Sequence, residues 1–111
     1  MTATQSSTFN EEYASNCIDG HTSSGLPMCH TKKETAPWIA IDYGTSVTVQ
    51  RVEIFNRGHG NDANAQRTRN VDVRISDELP TSGSEMFSGG SLLGHFAGPA
   101  SKGQHIIISG Q

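Results

Sequence analysis

Val71, Val73 and Ile75 alternate with Asp72 and Arg74. Strict alternation of this kind marks a strand with one face buried and one face wet. Trp38-Ile39-Ala40-Ile41-Asp42-Tyr43 predicts a second strand, closed by Gly44. Val47-Thr48-Val49 and Val52-Glu53-Ile54 also alternate, but their apolar sets fall on opposite parities. A bulge near Gln50-Arg51 is expected to return both sets to one face. Leu92-Leu93-Gly94-His95-Phe96 reads as a weaker strand, and Ile106-Ile107-Ile108 as a strand buried on both faces. Residues 1–37 are polar and carry no helical apolar period, with a short strand expected near Ala3–Ser7 and a helical turn near Asn10–Ser15. Asp19-Gly20 signals a tight turn. Gly-, Asn- and Pro-containing loops separate the strands at Gly58–Gln66, Leu79–Gly90 and Gly98–Gly103. The fold class predicted is all-β, an antiparallel β-sandwich or jelly roll with function on its end loops.

Composition narrows the choice. The chain has 111 residues, enough for one domain, and only 33% are hydrophobic. Glycine, serine and threonine are plentiful, which fits strands and loops and argues against a helical bundle. A net charge of −3 gives no electrostatic footprint for nucleic acid. No apolar run approaches a membrane span, so insertion into a membrane is not expected. The N-terminus has neither the basic start nor the apolar stretch of a signal peptide. Cys17 and Cys29 flank a Gly-, Ser- and Pro-rich loop. Three readings stay open for them: a bridge that staples the loop, two free thiols, or a partner beyond Gln111.

The candidate chemistry is an imidazole and two guanidinium groups. His30 stands 27 positions before Arg57, and Asp62 stands 5 before Arg67. A neutral imidazole offers one donor and one acceptor, and each guanidinium a rigid fork of donors. Such groups suit the vicinal hydroxyls of a sugar, and none of them is a nucleophile. The plainer reading makes His30 a surface or capping residue and leaves Arg67 and Arg69 solvated. No Gly-x-Ser-x-Gly elbow is present. Paired carboxylates are not picked out, and Asp42, Glu53 and Asp72 sit at outward-facing strand positions. A zinc site from Cys17, Cys29, His30 and His21 lacks the usual ligand spacings. An enzyme is therefore not expected.

Several segments, in order, carry a family resemblance. They are Ala3-Thr4-Gln5-Ser6-Ser7, Ala14-Ser15-Asn16-Cys17-Ile18-Asp19-Gly20, Cys29-His30-Thr31, Pro37-Trp38-Ile39-Ala40-Ile41-Asp42 and Val52-Glu53-Ile54-Phe55-Asn56-Arg57-Gly58. With Arg69–Ile75 and Gly103–Ile108 they resemble the F-type lectins (fucolectins) of the discoidin or galactose-binding-like group, over nearly the whole chain. The family's sugar motif is His-x26-Arg-x-Asp-x4-Arg/Lys. His30 and Arg57 have the first spacing, and Asp62 and Arg67 the last. Three extra residues, His59-Gly60-Asn61, lie between the two halves and read as an insertion in the binding loop. The resemblance implies that His30 bonds ring and hydroxyl oxygens, that Arg57 and Arg67 bond hydroxyls, and that Asp62 orients an arginine. Ala63-Asn64 stands where many members carry adjacent cysteines, which weakens the case for fucose.

The resemblance implies a lectin module that recognises a fucose-like sugar without catalysis. Its partner would be a fucosylated glycan or glycoprotein, its setting extracellular, and its parent an oligomer or multidomain protein, since one shallow site binds weakly. The alternative is an extracellular protein-interaction or adhesion module with a degenerate sugar site. A third reading, lipid-surface binding, rests on Met86 and Phe87, which more simply anchor their loop. The resemblance also implies a structural Ca2+ site at the Asn16–Gly20 turn, from Asn16, Asp19, His21 and Met28. Asp19 bonding its own backbone in an Asx turn explains the same residues. A further strand is implied after Ser109-Gly110-Gln111, so residues 1–111 are expected to form a single domain short of its C-terminal strand and of reduced stability.

Overall fold

The computed structural model describes residues 1–18, 20, 28–80 and 87–110. Its elements are β1 (Thr2–Gln5), a 3-10 turn (Ala14–Cys17), β2 (Ile39–Asp42), β3 (Arg51–Phe55), α1 (Asp62–Ala65), β4 (Val71–Ile75), β5 (Ser91–Phe96) and β6 (His105–Ser109). The strands pair antiparallel as β1–β2, β3–β6 and β4–β5. The all-β antiparallel class expected from the alternation is therefore the one that forms. None of the helices among the described residues is long and apolar enough to cross a membrane.

The chain divides into two units. The first holds β1, the 3-10 turn and β2. β1 and β2 pair from Thr2 opposite Asp42 to Gln5 opposite Ile39. Beyond the last pair, Ser6 N–H donates to the Trp38 carbonyl at 3.0 Å, and Trp38 N–H donates to Ser6 Oγ at 3.1 Å. Glu34 Oε2 then accepts from both Ser6 Oγ, at 2.6 Å, and Ser7 Oγ, at 2.8 Å. These hydroxyls favour the ionised carboxyl and hold it below its ordinary value of 4.5. The helical turn lies at Ala14–Cys17, later than the sequence placed it. It ends on a disulfide, Cys17–Cys29, whose Cα atoms are 5.4 Å apart. Closing a loop of this length restricts the unfolded chain by about 3 kcal/mol.

The second unit is a small sandwich. On β3, Val52 and Ile54 turn inward while Arg51, Glu53 and Phe55 turn out. On β6, Ile106 and Ile108 are buried and His105, Ile107 and Ser109 are exposed. Ile106 and Ile108 meet Ile54, Val73, Leu93, Phe96 and Ala100 in the core. Ile107 is 55% exposed, so the run of three isoleucines is not buried on both faces. Only one side of β6 is covered by the second sheet, and the period of two sends the middle residue outward. There Phe55 stacks on His105 with centroids 4.4 Å apart, and Glu53 bonds His105 Nε2 at 2.8 Å.

Two expectations about register fail. Val47-Thr48-Val49 joins no strand, and Val47 is exposed. Gly110 N–H bonds the Gln50 carbonyl at 2.9 Å, so the ladder runs through Gln50-Arg51 without an extra residue. The irregularity lies on β5 instead. Val73 faces Gly94 and Arg74 faces Leu92, which leaves Leu93 as the additional residue. That bulge lets Leu93 join the core as well as Phe96.

Two predictions follow from these contacts. A Cβ on Gly94 would stand 2.5 Å from Ile108 Cγ2, in a core with no slack. Gly94→Ala is expected to cost about 1–3 kcal/mol, read as a lower urea midpoint, whereas an unchanged midpoint would contradict the close approach of β5 and β6. Glu34 is held ionised in the folded chain, so its contribution is present above its unfolded value and disappears as the pH falls through the lower, folded one. Urea midpoints measured from pH 7 down to about pH 3 should fall less steeply for Glu34→Gln than for the wild type.

Candidate functional site

The arginine loop is built on a buried amide. Asn56 follows β3 on the inward parity of Val52 and Ile54 and is 4% exposed. Its Nδ2 donates to the carbonyls of Ala65, at 3.1 Å, and Ser101, at 2.8 Å, and its Oδ1 accepts from Thr68 Oγ1 at 2.7 Å. Its backbone N–H bonds the Gln104 carbonyl at 3.0 Å. One side chain thus joins the start of the loop, the end of α1 and the 101–104 turn.

The insertion His59-Gly60-Asn61 builds the loop rather than merely lengthening it. Arg57 Nε donates to the His59 carbonyl at 3.1 Å, which turns the guanidinium back over the inserted residues. Gly60 has φ +82°, and a Cβ there would lie 3.3 Å from Arg57 Nη2 and 2.8 Å from Asn64 Nδ2. Only glycine meets both demands without strain. Asn61 caps α1, its Oδ1 accepting from Asn64 N–H at 2.9 Å. Asp62 occupies the first turn of α1 and is exposed. Its carboxylate pairs with neither Arg57 nor Arg67, so the expectation that Asp62 orients an arginine is not met. The His59 main chain performs that task for Arg57. Arg67 is exposed, and among the described residues its guanidinium has no partner.

His30 belongs to the first unit and is braced on several sides. Its N–H donates to the Glu12 carbonyl at 3.1 Å, and its carbonyl accepts from Phe9 N–H at 2.9 Å. Gln5 Nε2 reaches the Glu12 carbonyl at 3.0 Å and the His30 carbonyl at 3.3 Å. The ring is held too: Nδ1 lies 2.8 Å from Glu12 Oε2, with both side chains about four-fifths buried. Phe9, 44% exposed, lays its ring beside the imidazole with centroids 4.8 Å apart. Among the described residues Nε2 has no partner. The residue therefore presents one polar ring atom next to apolar surface.

The other expected sites fare differently. Asp19 and His21 lie outside the described residues, as does Met86. Asn16 and Met28 are joined to each other, Asn16 Nδ2 donating to the Met28 carbonyl at 3.1 Å. Among the described residues, His, Cys, Asp and Glu side chains form no group of three that would hold a metal. The disulfide removes Cys17 and Cys29 from any zinc site. Phe87 is half-buried with its ring against Gly89, an anchor rather than an exposed tip. Sequence reasoning missed Asn56 and Glu12. A polar residue on an inward strand parity was the available signal for the first; nothing in the pattern marked the second.

The sequence and the fold have counterparts among known proteins. A family model for the NedA-like, galactose-binding domain matches residues 16–90. The chain belongs to that family. It is also similar to the crystal structure of an F-lectin (fucolectin) from the serum of the striped bass, Morone saxatilis. The two share 26% identity with a TM-score of 0.81 over 97% of this chain, and the match spans 36% of the fucolectin chain. The fold is thus that of an F-type lectin domain, a β-sandwich. No curated protein matches the sequence.

Asn56→Ala removes three hydrogen bonds, leaves the Thr68 hydroxyl without its acceptor and opens a gap at a buried position. It is expected to cost about 2–4 kcal/mol in urea unfolding, and a loss below about 0.5 kcal/mol would show that the amide does not hold the loop.

Proposed function

We propose that the chain is a non-catalytic carbohydrate-binding module for a fucose-like sugar carried on a glycan or glycoprotein. The observation that carries this reading is His30: a braced imidazole whose Nε2 has no partner among the described residues, set beside the exposed ring of Phe9. A 6-deoxy hexose offers the matching pair of features, a row of hydroxyls and a methyl group. Arg57 and Arg67 supply guanidinium donors for hydroxyl oxygens, and Asp62 lies in the same loop. Membership of a galactose-binding family and likeness to a serum fucolectin support the same class. The Cys17–Cys29 bridge and the serum neighbour support an extracellular setting. Each neutral hydrogen bond replaces one to water and contributes little, so useful strength would come from several copies acting together.

Ala63-Asn64 favours a second reading, an extracellular protein-interaction module, because it offers less apolar contact than a pair of cysteines would. Titration with L-fucose followed by NMR, backed by a glycan array, separates the two. Binding is expected in the millimolar to micromolar range, weakened about 10- to 100-fold by Arg57→Ala and lost in His30→Ala. A folded chain that ignores every glycan on the array would refute the lectin reading.

A further inference from the structure

We infer that Glu12 is a positioning residue that fixes the proton on His30 Nδ1, and so makes His30 a selector for a ligand hydroxyl. The inference rests on the sugar reading above for its ligand, though not for its account of the ring. An ionised carboxylate only accepts hydrogen bonds. Glu12 Oε2 lies 2.8 Å from Nδ1, so Nδ1 carries the hydrogen. The neutral ring then has a bare Nε2, which accepts and cannot donate. The resemblance to the lectins suggested that His30 bonds ring and hydroxyl oxygens alike. A ring oxygen carries no hydrogen and would face Nε2 lone pair to lone pair. A hydroxyl turns its hydrogen toward Nε2 and is accepted.

The brace gives Glu12 little freedom to do otherwise. Its own carbonyl holds the His30 N–H at 3.1 Å while its carboxylate holds the ring, so main chain and side chain grip the same residue. Glu12 N–H in turn bonds the Phe9 carbonyl at 3.1 Å, closing a turn in which Asn10 takes φ +54°. Gln5 Nε2 ties the Glu12 and His30 carbonyls together. The imidazole is therefore fixed in position by the backbone and in tautomer by the carboxylate. With the ring four-fifths buried and Phe9 against it, water competes poorly for Nε2 from that side. Chemically, the site asks for a hydroxyl that donates, next to a patch of C–H surface.

The test has two arms on the full chain, labelled with 15N. Long-range 1H–15N correlation of the imidazoles, with His30→Gln to assign the signals, reads the ring directly. Wild type is expected to show neutral His30 protonated on Nδ1 and bare on Nε2. Glu12→Ala should lose that preference, and Glu12→Gln, whose amide oxygen accepts the same bond, should keep it. The second arm titrates L-fucose and its single O-methyl and deoxy derivatives. O-methylation of one particular hydroxyl is expected to weaken binding at least tenfold in wild type and markedly less in Glu12→Ala. His30 protonated on Nε2 in wild type would overturn the inference, and so would a ring pattern unchanged by Glu12→Ala. Should Glu12→Ala fail to fold, the wild-type ring pattern decides. An Nδ1–H ring in a chain that binds no sugar would refute the lectin reading while supporting Glu12 as the group that sets the proton.

Discussion

The loop that carries Arg57 and Arg67 depends on one buried amide. Asn56 spends both of its N–H groups on carbonyls and its oxygen on a hydroxyl, so every polar atom of the side chain is matched. A group buried this fully is costly unless satisfied. Satisfied, it couples three stretches of backbone that are far apart in sequence. Residues 57–67 can carry an insertion because their two ends are fixed by this side chain rather than by the loop's own length. Within that frame the added residues take up defined tasks: a carbonyl for Arg57, a glycine under its guanidinium and a cap for α1.

Arg57 and His30, each in its own unit, are held by different means. Arg57 is steered by a main-chain carbonyl, a neutral acceptor that leaves its positive charge uncompensated. His30 is steered by a carboxylate, Glu12 Oε2 lying 2.8 Å from its Nδ1. The first contact joins positions two apart within one loop, and the second spans 18 positions of chain.

The strands at 39–42 and 71–75 were readable because alternation and flanking turn residues agreed there. Val47-Thr48-Val49 alternated equally well and formed nothing, since a pattern needs a partner strand as well as a period. Ile106-Ile107-Ile108 misled for the opposite reason. Composition suggested burial on both faces, whereas the pairing of β6 with β3 covers one. His30, Arg57, Asp62 and Arg67 could be named as candidates from spacing, but the groups that hold His30 and Arg57 could not. Glu12 lies 18 positions from His30, and a carboxylate in a polar stretch looks like any solvated residue. Asn56 was hidden beside Arg57, the motif residue one position on. The role of the His59 carbonyl belongs to the backbone, which side-chain spacing does not report.

The disulfide has a consequence for where such a module can operate. Cys29 is the residue immediately before His30, and its bond to Cys17 anchors the strand of chain that delivers the imidazole to Glu12. The second unit contains no such cross-link and owes its order to apolar packing. A reducing milieu would therefore act unevenly, loosening the first unit while the second kept its packing. The bridge thus ties the order of the first unit to an oxidising setting, where disulfides persist.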